Sequence, residues 1–235
     1  KDIDQLSLNH EWLWRGVHRY RDSSPCAEHL QEVRSFLKKK DYFRATSIVN
    51  TYFAGLGGVA GIGGRVDSYQ PAGDLCFLLD DVKSYSKREL DINKAVATVE
   101  RETSAAMVSS TFIAHPVCNH IIGNWRAKSG CFSGSLWFSR VSDEQAVYRL
   151  EIREDKIAFA CAFEGGIHYI AEIKVKTDGQ VTKNPEGLKI ENASSLEVYV
   201  NIATSESGME RELERYIVPR DSWGELLKSH EEMFS

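Results

Sequence analysis

The segment Tyr148-Arg149-Leu150-Glu151-Ile152-Arg153 alternates apolar and polar side chains at every step. Successive side chains of a strand point to opposite faces, so this pattern predicts a strand with one face in a core and the other in water. Outward from it, runs rich in β-branched and aromatic residues follow at 157–163 and 167–176, parted by Glu154-Asp155 and Gly165-Gly166. Connections this short suit antiparallel hairpins, because a parallel neighbour needs a crossover of about a dozen residues or more. Further out, similar runs occur at 75–79, 95–101, 107–114, 120–126, 132–139, 147–153, 188–191 and 196–203, with Lys128-Ser129-Gly130 and Asp178-Gly179 among the turns. About a dozen strands without interleaved helices predict a mainly all-β fold, an antiparallel β-sandwich or the larger super-sandwich.

Helical patterns lie only near the two ends. After a short strand around 3–8, Ser24-Pro25 reads as an N-cap followed by proline at the first helical position, and Ala27, Leu30, Val33 and Leu37 recur at helical spacing. The spacing predicts a helix from 25 to about 39. Asp41 is placed to cap a second helix carrying Ala45, Ile48, Val49, Tyr52 and Phe53. A two-helix insertion at about 25–54 therefore precedes a glycine-rich loop at 55–68. Gly55-Leu56-Gly57-Gly58-Val59-Ala60 fits the dinucleotide fingerprint in letters, but a helix precedes it and more glycines follow, whereas that site needs a strand before and a helix after. Near the other end, Asp221 or Ser222 caps a helix with Trp223, Leu226, Leu227, His230 and Phe234 on one face.

Composition removes several functional classes. A net charge of -5 and a pI near 5.9 offer no basic surface for nucleic acid. No run approaches the roughly 20 apolar residues that span a bilayer. The five cysteines, Cys26, Cys76, Cys118, Cys131 and Cys161, are widely spread and form no C-x-x-C pair, so scattered thiols are expected rather than a disulfide framework or zinc. His115, Cys118 and His120 are metal-capable but lack a supporting pair nearby, and no metal or other cofactor is expected.

Leu8-Asn9-His10-Glu11-Trp12-Leu13-Trp14-Arg15-Gly16 is costly composition for an ordinary turn. Aromatic faces stack on the C–H faces of sugars, and Asn, His and Glu hydrogen-bond hydroxyls; equally, Trp12 and Trp14 could staple the loop to the core. This segment, with Tyr69-Gln70-Pro71-Ala72-Gly73-Asp74-Leu75 and Arg88-Glu89-Leu90-Asp91-Ile92, resembles in order and approximate spacing the N-terminal domain of glycoside hydrolase family 95, chiefly α-L-fucosidases. The similarity extends more weakly over essentially the whole chain. His10 stands where the family has Glu, and the family's preceding Pro-x-Gly-Asn-Gly segment is absent.

The resemblance implies a β-domain at 1–218 and, at 219–235, the start of a linker helix toward an (α/α)6 catalytic barrel that this sequence does not contain. The parent enzyme would hydrolyse terminal α-L-fucosyl or α-L-galactosyl residues of a glycan with inversion. A barrel Glu would serve as acid and a barrel Asn–Asp arrangement would activate water, so no catalytic residue falls in this chain. Its own barrel and a glycan are the implied partners, with neither nucleic acid nor membrane. Asn9, His10, Glu11, Trp12 and Trp14, then Tyr69 and Gln70, are the expected substrate-rim or domain-interface residues. Trp223, Leu227 and His230 are the expected interface of the terminal helix, whose stripe is expected to be partly uncovered without the barrel.

Two other functions stay open. One is a freestanding carbohydrate-binding module. The other is a mutarotase-like sugar epimerase using His120, His168, Glu164 or Glu172, of which His168 and Glu172 share one strand face. The carboxylates of Asp80-Asp81 and Glu154-Asp155 sit at expected turns, where solvation is the default. The compartment is open as well: extracellular or periplasmic if a signal has been removed, otherwise cytoplasmic.

Overall fold

A computed structural model of the chain describes residues 2–14, 26–53, 68–144, 146–164, 166–206 and 219–234. The expected Ser24-Pro25 cap, Arg15-Gly16 and the glycine-rich loop up to residue 67 lie outside them. Two compact units form: Lys1–Leu13 with Gln70–Ser235, and Trp14–Tyr69.

The first unit is an antiparallel β-sandwich, as the alternating runs predict. Its strands are β1 (Ile3–Leu8), β2 (Gly73–Leu79), β3 (Val82–Asp91), β4 (Val96–Thr103), β5 (Met107–His115), β6 (His120–Ala127) and β7 (Phe132–Ser139). They continue with β8 (Ala146–Ile152), β9 (Lys156–Phe163), β10 (His168–Thr177), β11 (Gln180–Lys183), β12 (Gly187–Ala193) and β13 (Ser195–Thr204). A five-stranded sheet runs β1-β2-β7-β12-β11, and an eight-stranded sheet runs β3-β4-β5-β6-β13-β10-β9-β8. Between them lies a core that includes Leu75, Phe77, Trp125, Leu136, Tyr169 and Val198.

Position in the sheet decides what each strand looks like in sequence. β13 lies near the middle of the large sheet and is buried on both faces, so apolar residues dominate it on both, broken within by Glu197 and Asn201. β3 is an edge strand with almost every residue exposed, and two register irregularities interrupt its pairing with β4. It was not foreseen as a strand, because a sequence with no buried face has no alternation to show. The Arg88–Asp91 part of the third motif belongs to this edge.

The outer face of the large sheet carries a second apolar cluster. Val96, Ile113, Ile122 and Tyr199 meet Trp223 and Leu226 of the terminal helix α3 (Trp223–Phe234), with Cys118 and Leu227 packed at the margin of the cluster. Ser222 caps that helix reciprocally with Glu225: the Glu225 carboxylate accepts from the Ser222 N–H and hydroxyl, each at 2.8 Å. Trp223 and His230 are buried. The expected partly uncovered stripe is therefore largely covered by the domain's own sheet, with Phe234 left exposed.

The second unit contains a 3-10 turn at Ala27–His29, then α1 (Leu30–Lys38) and α2 (Tyr42–Ile48), ending in a π-turn at Val49–Phe53. Asp41 caps α2 as expected, accepting from the Arg44 N–H at 3.2 Å. His29 stacks on Tyr52 with ring centroids 3.7 Å apart.

Candidate functional site

β1 hands its chain to the tryptophan-bearing loop at Leu8. A tight turn follows, in which the Leu13 N–H donates to the His10 carbonyl at 2.9 Å and the Trp12 N–H reaches His10 Nδ1 at 3.3 Å. Leu13 is 0% exposed, and its carbonyl accepts from the Gln70 N–H at 2.8 Å. Leucine, not tryptophan, staples this loop: Trp12 is 43% and Trp14 47% exposed. Trp14 forms a β-bridge with Tyr69, and their rings meet edge to face at 5.1 Å. Asn9, Glu11, Trp12, Trp14 and Tyr69 are each exposed to some degree in their own unit.

The Tyr69–Leu75 motif is mostly spent on structure. Gln70 Oε1 accepts from Arg140 Nη2 at 2.9 Å, and the Pro71 carbonyl accepts from Arg140 Nε at 3.2 Å. Arg140 also lies over the Phe163 ring, 5.0 Å from its centroid. The Ala72 carbonyl accepts from the buried Tyr169 hydroxyl at 2.5 Å, and Asp74 accepts from Ser7 at 2.7 Å. Gly73 has φ +139°, and a Cβ there would sit 2.5 Å from Phe138 Cζ. Pro71 and Gly73 shape the turn, as their residue types suggest, and Gln70 is held as a brace.

Asn9 and His10 also line a groove of about 270 Å³ at one end of the sandwich, facing the β5–β6 turn and the exit of β13. His115, Asn119, His120 and Asn201 supply its other polar side chains. His115 Nε2 meets the Ser229 hydroxyl of α3 at 2.9 Å, and His120 Nδ1 lies against the Cys118 carbonyl. Burial holds both imidazoles below their usual pKa; His230 lowers His115 further, and Lys174 and His115 lower His120 against the pull of the Cys118 carbonyl. Asp221 opposes the shift at His115. Among the described residues no cluster of three or more His, Cys, Asp or Glu side chains could hold a metal ion.

Residues 2–208 match the glycosyl hydrolase family 65 N-terminal domain. The chain belongs to that family. It is 30% identical over 139 residues to alpha-L-fucosidase 2 of Arabidopsis thaliana, a match covering 57% of this chain and 15% of that protein. A solved chain described as a kojibiose phosphorylase from the human microbiome superposes with a TM-score of 0.39 at 10% identity, covering 68% of this chain and 25% of that one. The chain thus spans only a small part of the length of either relative. A glycoside hydrolase N-terminal domain is what the motifs implied, although the family matched is numbered 65 rather than 95.

In this family 65 N-terminal domain the remaining titratable candidates are spread over several elements. His168 and Glu172 share a face of β10, with four residues of strand setting their Cα atoms about 13 Å apart. Glu172 is ion-paired with Lys156. The register sets His120, Asn201 and Glu172 in one cross-strand row, with β13 between the imidazole and the carboxylate. Glu164 is exposed beyond β9, Asp80 pairs with Lys189 at 2.5 Å, and Asp81 sits in a turn at φ 53°. Of the expected helix interface, Trp223 and His230 are buried against this domain's own sheet and Leu227 is half-buried.

One buried polar site had no signal in the sequence. The Asp4 carboxylate accepts from Arg101 Nη1 at 2.9 Å and Nη2 at 2.6 Å, from Ser110 Oγ at 3.0 Å and from Trp125 Nε1 at 2.8 Å. It joins β1 of the small sheet to β4, β5 and β6 of the large one. Its partners lie about a hundred residues away in sequence, and no local pattern announces such a pairing.

Proposed function

We propose that this chain is the non-catalytic N-terminal β-domain of a family 95-type glycoside hydrolase that removes terminal α-L-fucosyl or α-L-galactosyl residues with inversion. The observation that carries this is the identity to an alpha-L-fucosidase, joined to the ordered motifs at Leu8–Gly16, Tyr69–Leu75 and Arg88–Ile92. The domain braces a following (α/α)6 barrel, and Asn9, His10, Glu11, Trp12, Trp14 and Tyr69 form one rim of its sugar pocket. Exposure of both indoles and of Tyr69 supports the rim, since packing leaves those surfaces uncovered. Gln70, held by Arg140, positions the rim rather than touching sugar.

The test is turnover of nitrophenyl α-L-fucoside and α-L-galactoside by the full-length protein, with the anomer first released followed by NMR. Hydrolysis with inversion is expected. Transfer to phosphate, or activity confined to α-glucosides, would refute the family 95-type assignment.

A further inference from the structure

The groove at the end of the sandwich has a composition that selects a ligand class. None of its lining residues is Asp, Glu, Lys or Arg, so it offers neither a counter-charge for an anion nor ligands for a hard cation. What it offers is the amides of Asn9, Asn119 and Asn201, each able to donate and accept, whereas both ring nitrogens of His115 are engaged by the Ser229 hydroxyl and the Cys118 N–H. Asn201 is only 8% exposed, yet its side chain makes no hydrogen bond to any described residue. Its amide atoms are not sealed off from the groove, so a ligand hydroxyl can reach them. Asn9 and Asn119 likewise spend no side-chain hydrogen bond on the protein among the described residues.

We propose that this groove is a subsite for one neutral pyranose ring, held by the amides of Asn9, Asn119 and Asn201 beside the rings of His115 and His120, and that it binds without any second domain. The volume of about 270 Å³ lies below the roughly 300–1,000 Å³ of pockets that take drug-sized ligands, which limits the occupant to a single ring. Ala114, Ile121 and Val200 add apolar atoms to the lining for the ring's C–H surface. This deepens the assignment of the Asn9–His10 loop to a sugar-facing role and rests on it. It is read by binding, whereas the parent activity is read by turnover, so either can fail alone.

The experiment is an NMR titration of the 235-residue chain with L-fucose, L-galactose, D-glucose and, as the anionic contrast, inorganic phosphate. Imidazole C–H signals of His115 and His120 and the side-chain amide of Asn201 are the reporters. At least one pyranose is expected to give saturable shifts at these reporters with a Kd on the order of 10 mM. Asn201→Ala is expected to weaken binding roughly two- to tenfold, the loss of about one hydrogen bond, and Asn9→Ala, in an exposed loop, provides a second variant that leaves the fold intact. Four results would each overturn the proposal: no saturable shift up to about 100 mM sugar, shifts elsewhere only, variants that bind as well as the unmodified chain, or phosphate binding as tightly as sugar.

Discussion

Replacing Asp4 by Asn tests whether the buried carboxylate holds the two sheets together. The Asp4 and Arg101 side chains are each 2% exposed, so the ion pair has no water to fall back on. Asn keeps the shape but removes the charge, and its NH2 must face the Arg101, Trp125 or Ser110 donors that now point at carboxylate oxygens. Breaking a buried pair costs about 3–5 kcal/mol, because the remaining charge is left in a dry site. Against a total stability of roughly 5–15 kcal/mol this is a large fraction. With about 2–4 °C per kcal/mol for a chain of this size, Tm should fall by about 6–20 °C in calorimetry. Urea unfolding of Asp4→Leu, Arg101→Met and the Asp4→Leu/Arg101→Met pair closes the cycle. The double variant should recover part of the loss, since no charge remains, but not all, since Ser110 and Trp125 still lack their acceptor. A loss under about 1 kcal/mol for Asp4→Asn, the level of an exposed pair, would refute the reasoning.

Three other outcomes follow from the same structure. His115 and His120 have folded pKa values depressed below 6.5, so the unfolded chain takes up protons first; their contribution is complete above that pH and is lost as pH falls from 6.5 through the folded values. Thermal midpoints measured from pH 8 to 5 should drop over that window, with a flatter profile in His115→Gln/His120→Gln. Gly73→Ala places a Cβ against Phe138 at φ +139°, and chemical denaturation should show a loss of about 2–4 kcal/mol from strain plus overpacking. Trp12→Ala, at an exposed site, should change stability by no more than about 0.5 kcal/mol while impairing turnover by the full-length enzyme; equal loss of both would return the loop to a packing role.

Most of the sandwich was legible because most strands bury one face, and alternation with turn residues records that directly. The elements that escaped are those whose environment breaks alternation: β3, wet on both sides, and the short edge strand β11, with little to bury. The terminal helix and its cap were readable from Ser222 and the apolar stripe, but not its destination, because a stripe states that a face is covered without naming the cover. At the loop, composition drew attention to the right residues and misjudged their packing. Two tryptophans around one leucine suggested an indole staple, and the smaller Leu13 took the buried position. The groove was only half visible. Asn9 and His10 stand out beside the tryptophans, whereas Asn201 is a single amide in a β-branched run, and only the strand order brings it near them.

β1 and β2 are antiparallel neighbours, with Leu8 opposite Gly73, and the unit Trp14–Tyr69 is inserted in sequence between them. Its two attachment points are already bridged by the hydrogen bond from the Gln70 N–H to the Leu13 carbonyl. The sandwich is therefore excisable from its insert: joining Leu13 to Gln70 through about two residues replaces a closure of roughly fifty, which lowers the entropy cost by about 3 kcal/mol. A grafted chain of this kind should keep the sandwich's near-ultraviolet circular dichroism and melt no earlier than its parent, leaving the helical pair as a cassette that can be exchanged without redesigning the sheets.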